Sequence, residues 1–213
     1  MLTLRASKIG GCVRQYIMLL RSGREGEATP RQKLYWDVGR ALEPVIVKHA
    51  GYDPAALFND SVKVEIPIND GLVLVGHPDG EADNWTIECK TMRSVAFQDM
   101  MTGGLEHRFP GYLVQGSVYQ KGRKTKGVKF LCLDKDASII QEIQVAANAL
   151  APYWNMAVEN AMKIQRWLGN QKLPGKAVDL PPWYCFSAFC SMTECRHHYN
   201  NPKKMEWRRR RST

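Results

Sequence analysis

The chain has 213 residues, of which 44% are hydrophobic, and a formal net charge of +9. This composition suits one folded domain and excludes a disordered chain, and the lack of a long apolar run excludes a membrane-spanning helix. The positive charge favours a polyanionic partner, with nucleic acid ahead of an anionic membrane. Because the N-terminus lacks a signal peptide's apolar core, we expect a cytoplasmic protein whose six cysteines are thiols or metal ligands rather than disulfides.

Two helices are predicted first in chain order, followed by strands. Residues 7–20 form the first helix, and residues 31–50 have apolar side chains at helical spacing before Gly51, which commonly ends a helix. Residues 62–68 then alternate between apolar and polar side chains, as in a strand with one solvent-exposed face, and the turn residues 69–71 follow them. The remaining predicted elements are, in chain order, strands at 72–82 and 85–91, helices at 94–101 and 111–120, strands at 127–133 and 138–145, and a helix at 147–168. This order predicts an α/β (α+β) fold with a central mixed β-sheet flanked by helices.

The third predicted strand contains the pattern E-x-K. Glu88 and Lys90 are two residues apart, so their side chains point to one face of the sheet, and the turn at 83–84 brings Asp79 towards Glu88. Two carboxylates and an ammonium at a sheet end suit phosphodiester cleavage, because Mg²⁺ prefers carboxylate oxygens and polarises a phosphate. A lysine beside them orients or deprotonates the attacking water, or offsets charge on the phosphate. The triplet alone equally fits a surface charge pair, so the assignment depends on the rest of the chain.

Polar residues on two predicted helices add to this pattern. Glu43 lies at the border of the apolar stripe of the second helix, where it can face the sheet. Gln115 and Tyr119 are four residues apart and therefore share one helix face, where an amide and a phenol can hold a lysine or a DNA phosphate. Each also has a simpler interpretation, as a solvated glutamate and as a half-buried helix face.

The motifs G-x-x-x-E, D-(x)₈-E-x-K and Q-x-x-x-Y, which occur in this order, resemble the PD-(D/E)XK nuclease superfamily in its RecB-like and phage-exonuclease branch. Pro78 and Asp79 match the PD element, and the matches extend from about residue 39 to residue 119. The resemblance implies a restriction-endonuclease-like core at about 31–170. Many members have a histidine where this chain has Glu43, and others have glutamate.

The resemblance also implies roles for individual residues. Glu43, Asp79 and Glu88 would bind Mg²⁺ or Mn²⁺, with the backbone carbonyl of Cys89 as a further ligand. Lys90 would be catalytic together with the two carboxylates of the D-(x)₈-E-x-K motif. Gln115 and Tyr119 would complete the catalytic set by supporting the lysine and the DNA: the implied catalytic residues are Asp79, Glu88, Lys90, Gln115 and Tyr119.

Four cysteines form a second candidate site. Cys12 lies near the N-terminus, and a trio with C-x₄-C-x₄-C spacing lies in the C-terminal tail: Cys185, Cys190 and Cys195. Four thiolates can hold an iron–sulfur cluster or Zn²⁺, and a chain that binds neither is the third alternative. The arrangement resembles the iron–sulfur nucleases of CRISPR adaptation, which implies a [4Fe-4S] cluster joining the tail at 180–200 to the first helix at 7–20. Cys89 and Cys132 are predicted instead to be core thiols on the buried faces of strands.

The last segment of the sequence, 203–213, is rich in lysine and arginine. Its positive side chains would bind DNA phosphates without sequence preference, although a solvated tail is the equal alternative: Lys203, Lys204, Arg208, Arg209, Arg210 and Arg211. The sequence thus predicts a single-domain, metal-dependent deoxyribonuclease in a bacterial cell or phage-infected host, an exonuclease acting on DNA ends in recombination, repair or phage replication. DNA and a recombination or replication protein are the expected partners. The alternatives are a non-catalytic DNA-binding module with a nuclease-like fold, and a structural protein with a cysteine-bound metal.

Overall fold

The computed structural model describes residues 1–25, 28, 30–58, 62–170 and 172–173. The strands in this part of the chain are β1 (Leu2–Arg5), β2 (Val64–Asn69), β3 (Leu72–Gly76), β4 (Gly80–Ala82), β5 (Trp85–Met92), β6 (Gly127–Asp134) and β7 (Ile139–Ala146). The helices are α1 (Ala6–Ile9), α2 (Val13–Arg21), α3 (Pro30–His49), α4 (Pro54–Leu57), α5 (Ser94–Arg108), α6 (Pro110–Arg123) and α7 (Ala147–Leu168). Among these described helices, none combines the length and the apolar character needed to cross a membrane.

The strands form two mixed sheets. In the first, with the order β1-β3-β2, β1 runs parallel and β2 antiparallel to β3. In the second, with the order β4-β5-β6-β7, β5 and β6 run parallel and the outer strands antiparallel to them. The predicted α/β class, with mixed β-structure flanked by helices, is confirmed, although the described strands form two hydrogen-bonded sheets where one was predicted.

The chain passes from one sheet to the other at residues 77–79. One continuous strand over 72–82 was predicted, and that prediction is wrong, because β3 ends at Gly76 and β4 begins at Gly80. Pro78 has no backbone N–H to donate and therefore interrupts the ladder. The break leaves Asp79 at the junction of the two sheets.

The first predicted helix, over 7–20, is also divided. Helix α1 ends at Ile9 and α2 begins at Val13. Gly10, which follows α1, packs against α6 so closely that a Cβ atom on it would lie 2.8 Å from the Cα atom of Gly111. The unpredicted strand β1 precedes α1 and pairs in parallel with β3. Helix α5 is interrupted by a kink at Gly104, whose φ is positive, and the helical residues beyond the kink, up to Arg108, were not predicted. Helix α7 has the predicted bounds.

Helices cover both faces of the four-stranded sheet. Ile46 and Val47 of α3 pack on the face of β5 that carries Ile87 and Cys89. On the opposite face, helices α5, α6 and α7 pack against side chains such as Phe130 of β6. Because side chains alternate along a strand, Glu88 and Lys90 of β5 point to the other face, towards α6.

Candidate active site

The carboxylate–lysine pair lies on β5, a strand with neighbours on both sides. Glu88 is 2% exposed, and Nζ of Lys90 donates a hydrogen bond of 2.5 Å to its Oε1 atom. The Lys90 side chain is 15% exposed, so solvent still reaches the lysine. The aligned residues on β6 are Phe130 and Cys132, which are apolar. A buried ion pair needs further hydrogen bonds to offset its desolvation, and these have to come from other elements.

Helix α6 supplies those hydrogen bonds. The side-chain amide of Gln115 donates to Oε1 of Glu88 and to Oη of Tyr119, both at 2.9 Å. Nζ of Lys90 also donates to the side-chain carbonyl of Gln115, at 3.4 Å. Gln115 and Tyr119 are buried and are one helical turn apart, so both face β5. The structure thus brings Gln115 directly onto the ion pair and joins Tyr119 to it through Gln115.

Asp79 approaches the pair from the junction between the sheets. Its Oδ2 atom accepts a hydrogen bond of 2.6 Å from the backbone N–H of Cys89, the residue between Glu88 and Lys90. Gly76, at the end of β3, makes room for the Tyr119 ring, because a Cβ atom there would lie 2.4 Å from Cε1 of that ring. The strand break at 77–79 therefore positions the carboxylate and leaves space for the phenol.

Glu43 reaches the site from α3. It is half-buried, and one turn before it Gly39 lies close to β5, since a Cβ atom on Gly39 would be 3.8 Å from Oγ1 of Thr91. Burial and then the nearby charge of Asp79 raise the pKa of Glu43 to about 7. Glu43 is thus electrostatically part of the cluster, which is approached from both faces of the sheet.

The cluster contains more negative than positive groups. Burial first, and then the Asp79 carboxylate, raises the pKa of Glu88 to about 8. Burial also raises the pKa of Asp79. Burial alone would lower the pKa of Lys90, but the carboxylates of Glu88 and Asp79 outweigh it and raise that pKa above its usual value. Three carboxyl groups that share one ammonium are ionised together only when a further cation compensates them.

Tyr112 is a site residue that the sequence did not single out. Nζ of Lys90 lies 4.9 Å from the centroid of its ring, within the range of a cation–π contact. The ring is itself stacked on Phe109, with centroids 4.8 Å apart and an interplanar angle of 11°. Residue 112 precedes Gln115 by three positions and Tyr119 by seven, so helical spacing places it on the same face of α6, and the packed structure adds its contact with Lys90.

The donor atoms fit a hard divalent cation. Oε1 of Glu88 accepts hydrogen bonds from Lys90 and Gln115, whereas Oε2 is buried and has no hydrogen-bond partner among the described residues. An unpaired buried carboxylate oxygen is costly, and a cation beside it would remove that cost. Carboxylates such as those of Asp79 and Glu43 are the ligands that Mg²⁺ and Mn²⁺ prefer. Within the described residues, no three His, Cys, Asp or Glu side chains are preassembled around a metal position, so binding requires side-chain rotation.

The predicted cysteine site and the predicted basic tail lie mostly outside the described residues. Cys12 is partly exposed and directly precedes α2. The predicted partners of Cys12 and the basic tail lie outside the described residues: Cys185, Cys190, Cys195, Lys203, Lys204, Arg208, Arg209, Arg210 and Arg211. Cys89 and Cys132 are buried on their strands, as predicted for core thiols.

Solved structures with this fold include an alkaline exonuclease. The crystal structure of LHK-Exo from Laribacter hongkongensis is 16% identical in sequence and superposes with a TM-score of 0.53, covering 78% of this chain and 89% of that chain. Its complex with dAMP is 15% identical at the same coverage, with a TM-score of 0.54. The crystal structure of SSO0001 is 20% identical, with a TM-score of 0.53 over 88% of this chain and 82% of that chain. No protein-family model and no curated protein matches the sequence significantly. These similarities establish the fold.

Proposed function

We propose that the chain is a Mg²⁺- or Mn²⁺-dependent deoxyribonuclease of the PD-(D/E)XK superfamily, an exonuclease that acts on DNA ends in recombination, repair or phage replication. One observation carries the proposal: Glu88 and Lys90 form a buried ion pair that is hydrogen-bonded to Gln115 and adjoins Asp79. The fold shared with an alkaline exonuclease supports it. The net charge of +9 supports a polyanionic substrate.

Glu43, Asp79 and Glu88, with the backbone carbonyl of Cys89, would hold the divalent cation. A cation bound there supplies Lewis acidity towards the phosphodiester and towards water. Gln115 fixes the orientation of the Glu88 carboxylate, because its amide donates to Oε1 at 2.9 Å while Oε2 has no hydrogen-bond partner in the described part of the chain. The backbone N–H of Cys89 likewise fixes one oxygen of Asp79.

Lys90 would act as a charged hydrogen-bond donor. Its pKa is raised by Glu88 and Asp79 against the effect of burial, so the ammonium stays protonated at neutral pH. A protonated lysine stabilises negative charge on the phosphate oxygens and orients water. The side chains of Gln115 and Tyr112 limit the positions that the ammonium can adopt.

A cleavage assay with matched variants tests this proposal. End-labelled single- and double-stranded DNA is incubated with Mg²⁺ or Mn²⁺ and the wild-type protein, Lys90→Ala or Asp79→Ala. We expect metal-dependent cleavage that each substitution lowers by at least about 100-fold. Lys163→Ala is the control, because it removes an exposed lysine of α7 whose helical ion pair contributes little.

The same assay separates the proposed enzyme from a non-catalytic DNA-binding module. Intact DNA together with tight, salt-sensitive binding by the wild type would favour the binding module. Closed circular DNA should resist an exonuclease and become susceptible once it is linearised. Cleavage of the closed circle would show that the enzyme is an endonuclease rather than an exonuclease.

The cysteines and the basic tail are part of the proposal. Cys12, Cys185, Cys190 and Cys195 would bind a [4Fe-4S] cluster, with Zn²⁺ as the competing metal. Protein purified without oxygen should contain iron and absorb visible light near about 400 nm, the region of thiolate–iron transitions. Bound zinc without iron would identify the alternative. Deleting 203–213 should weaken DNA binding and reduce its salt dependence if the basic tail contacts phosphates.

A further inference from the structure

The N-terminal half of α3 exposes a tryptophan that no element of the proposed active site uses. Trp36 is 46% exposed, although tryptophan is usually well buried. It lies seven residues before Glu43, and Arg40 lies between them, so the three side chains share one face of the helix. At about 1.5 Å of rise per residue, Trp36 is about 10 Å from Glu43 along the helix axis.

Two cationic side chains lie near the indole, Lys8 over its ring and Arg40 one helical turn further along α3. Nζ of Lys8, on α1, lies 5.9 Å from the centroid of the Trp36 ring. The Arg40 side chain is 72% exposed, and its contact with Asp37, at 4.0 Å, is a surface pair that contributes little. An exposed aromatic ring between cationic side chains is the combination that binds single-stranded nucleic acid, with stacking for the base and charge for the phosphates.

The apolar residues nearby do not extend this surface. Leu34 and Val38 are also exposed, but they lie about 160° from Trp36 around the helix. The exposed Tyr35 lies about 100° away. Trp36 is therefore not part of a continuous apolar stripe on its own face of α3. A protein partner would need such a stripe, whereas a single base needs one ring.

We propose that Trp36, Lys8 and Arg40 form a subsite for an unpaired DNA strand, in which Trp36 stacks on a base and the two cations bind adjoining phosphates. This inference rests on the proposed function and narrows the substrate class to DNA with a single-stranded end. A base inside a duplex has both faces covered by its neighbours, so an exposed indole stacks on an unpaired base. The distance to Glu43 corresponds to about three nucleotides at ~3.4 Å per nucleotide of one strand, and to fewer in an extended strand.

Binding to two oligonucleotides of equal length tests the subsite with the full chain. One is a labelled thymidine oligonucleotide, and the other has the same phosphates but abasic sugars; EDTA prevents cleavage. We expect Trp36→Ala to weaken binding of the thymidine oligonucleotide by about 5- to 150-fold, the range for one stacked base, and to leave binding of the abasic one unchanged. Trp36→Phe should retain most of the affinity. Leu34→Ala, on the opposite face of α3, is the control and should bind like the wild type.

Three results would overturn the subsite. These are unchanged affinity of Trp36→Ala for the thymidine oligonucleotide, an equal loss for both oligonucleotides, and an altered oligomeric state of Trp36→Ala, which would assign the residue to self-association. If the wild type cleaves DNA and Trp36→Ala binds the thymidine oligonucleotide as tightly as the wild type, the subsite is refuted and the proposed enzyme is not. A wild type that binds through Trp36 but cleaves with neither metal would refute the proposed enzyme and leave the subsite intact.

Discussion

Replacing Gln115 with leucine tests the hydrogen-bonded site at its centre. Gln115 is 9% exposed, and its amide donates to Oε1 of Glu88 and to Oη of Tyr119, both at 2.9 Å. Leucine has a similar volume and no polar atoms, so the substitution removes these hydrogen bonds without a large cavity. The Tyr119 hydroxyl then loses this partner while it stays buried.

The magnitude follows from the two bonds. A neutral hydrogen bond contributes about 1 kcal/mol, and one to a charged group contributes about 1.5–3 kcal/mol. Leucine also removes the cost of burying the amide, so we expect the free energy of unfolding to fall by about 2–3 kcal/mol. Tyr119→Phe removes the hydroxyl alone and should cost about 1 kcal/mol. The double variant should lose about 1 kcal/mol less than the sum of the two single losses, because both single variants break the same Gln115–Tyr119 hydrogen bond.

Denaturant unfolding in EDTA, followed by circular dichroism, measures these free energies on the wild type, the two single variants and the double variant, at a pH above 8 so that Glu88 is ionised. The cleavage rate of Gln115→Leu should also fall by about tenfold or more, because Lys90 loses a neighbour that fixes its position. Losses that add within about 0.5 kcal/mol would show that the Gln115–Tyr119 bond does not stabilise the protein. An unfolding free energy of Gln115→Leu equal to that of the wild type would refute the hydrogen-bonded arrangement as a whole.

Three further predictions concern the packing of Gly76 against Tyr119, the contact of Tyr112 with Lys90, and the protonation of Glu88. Gly76→Ala would place a Cβ atom 2.4 Å from Cε1 of Tyr119 and should destabilise the protein by about 1–3 kcal/mol. Gly169→Ala should unfold like the wild type, because its Cβ atom would lie within 4 Å of no described atom outside its chain neighbours. Tyr112→Leu removes the ring over the lysine and should lower kcat by about 2- to 30-fold, while Tyr112→Phe keeps the ring and should keep the rate; equal rates for both would contradict the cation–π contact. The pKa of Glu88 is raised from 4.5 to about 8, so between these values the folded protein holds a proton that the unfolded chain releases. Stability of the metal-free protein should therefore fall as the pH rises through this window, more steeply than for Glu88→Gln, and parallel pH profiles from unfolding experiments would refute the raised pKa.

Elements with a strong local pattern were predictable from the sequence, and those that depend on distant pairing were not. Helix α7 has the predicted bounds because its apolar periodicity extends over 22 residues. Strand β1 has four residues and forms through pairing with the distant β3, so no local pattern identifies it. The alternation over 72–82 hid the transfer between sheets, for which Pro78 was the available signal.

The centre of the site was predictable because it depends on short-range geometry. The turn at Asp83 and Asn84, both with positive φ, joins β4 to β5 as the hairpin prediction required. Spacing of two on a strand and of four on a helix then determined which side chains share a face. Tyr112 and Trp36 were not found, because many aromatic residues have helical spacing and only the packed structure shows which of them lie over a lysine or in solvent.

The arrangement around Glu88 separates the two charges that the proposed reaction needs. Its Oε1 atom accepts hydrogen bonds from Lys90 and Gln115, which places the ammonium on one side of the carboxylate. Its Oε2 atom is buried and has no hydrogen-bond partner among the described residues. Burial first, and then the nearby carboxyls of Asp79 and Glu43, raises the pKa of Glu88 to about 8. A carboxylate oxygen in such surroundings is stable when it holds a proton or contacts a cation. In the proposed reaction, the side of the cation and the side of the phosphate would therefore depend on which oxygen of Glu88 accepts the hydrogen bond from Gln115. A buried amide without a charge of its own would thus determine how the site is oriented.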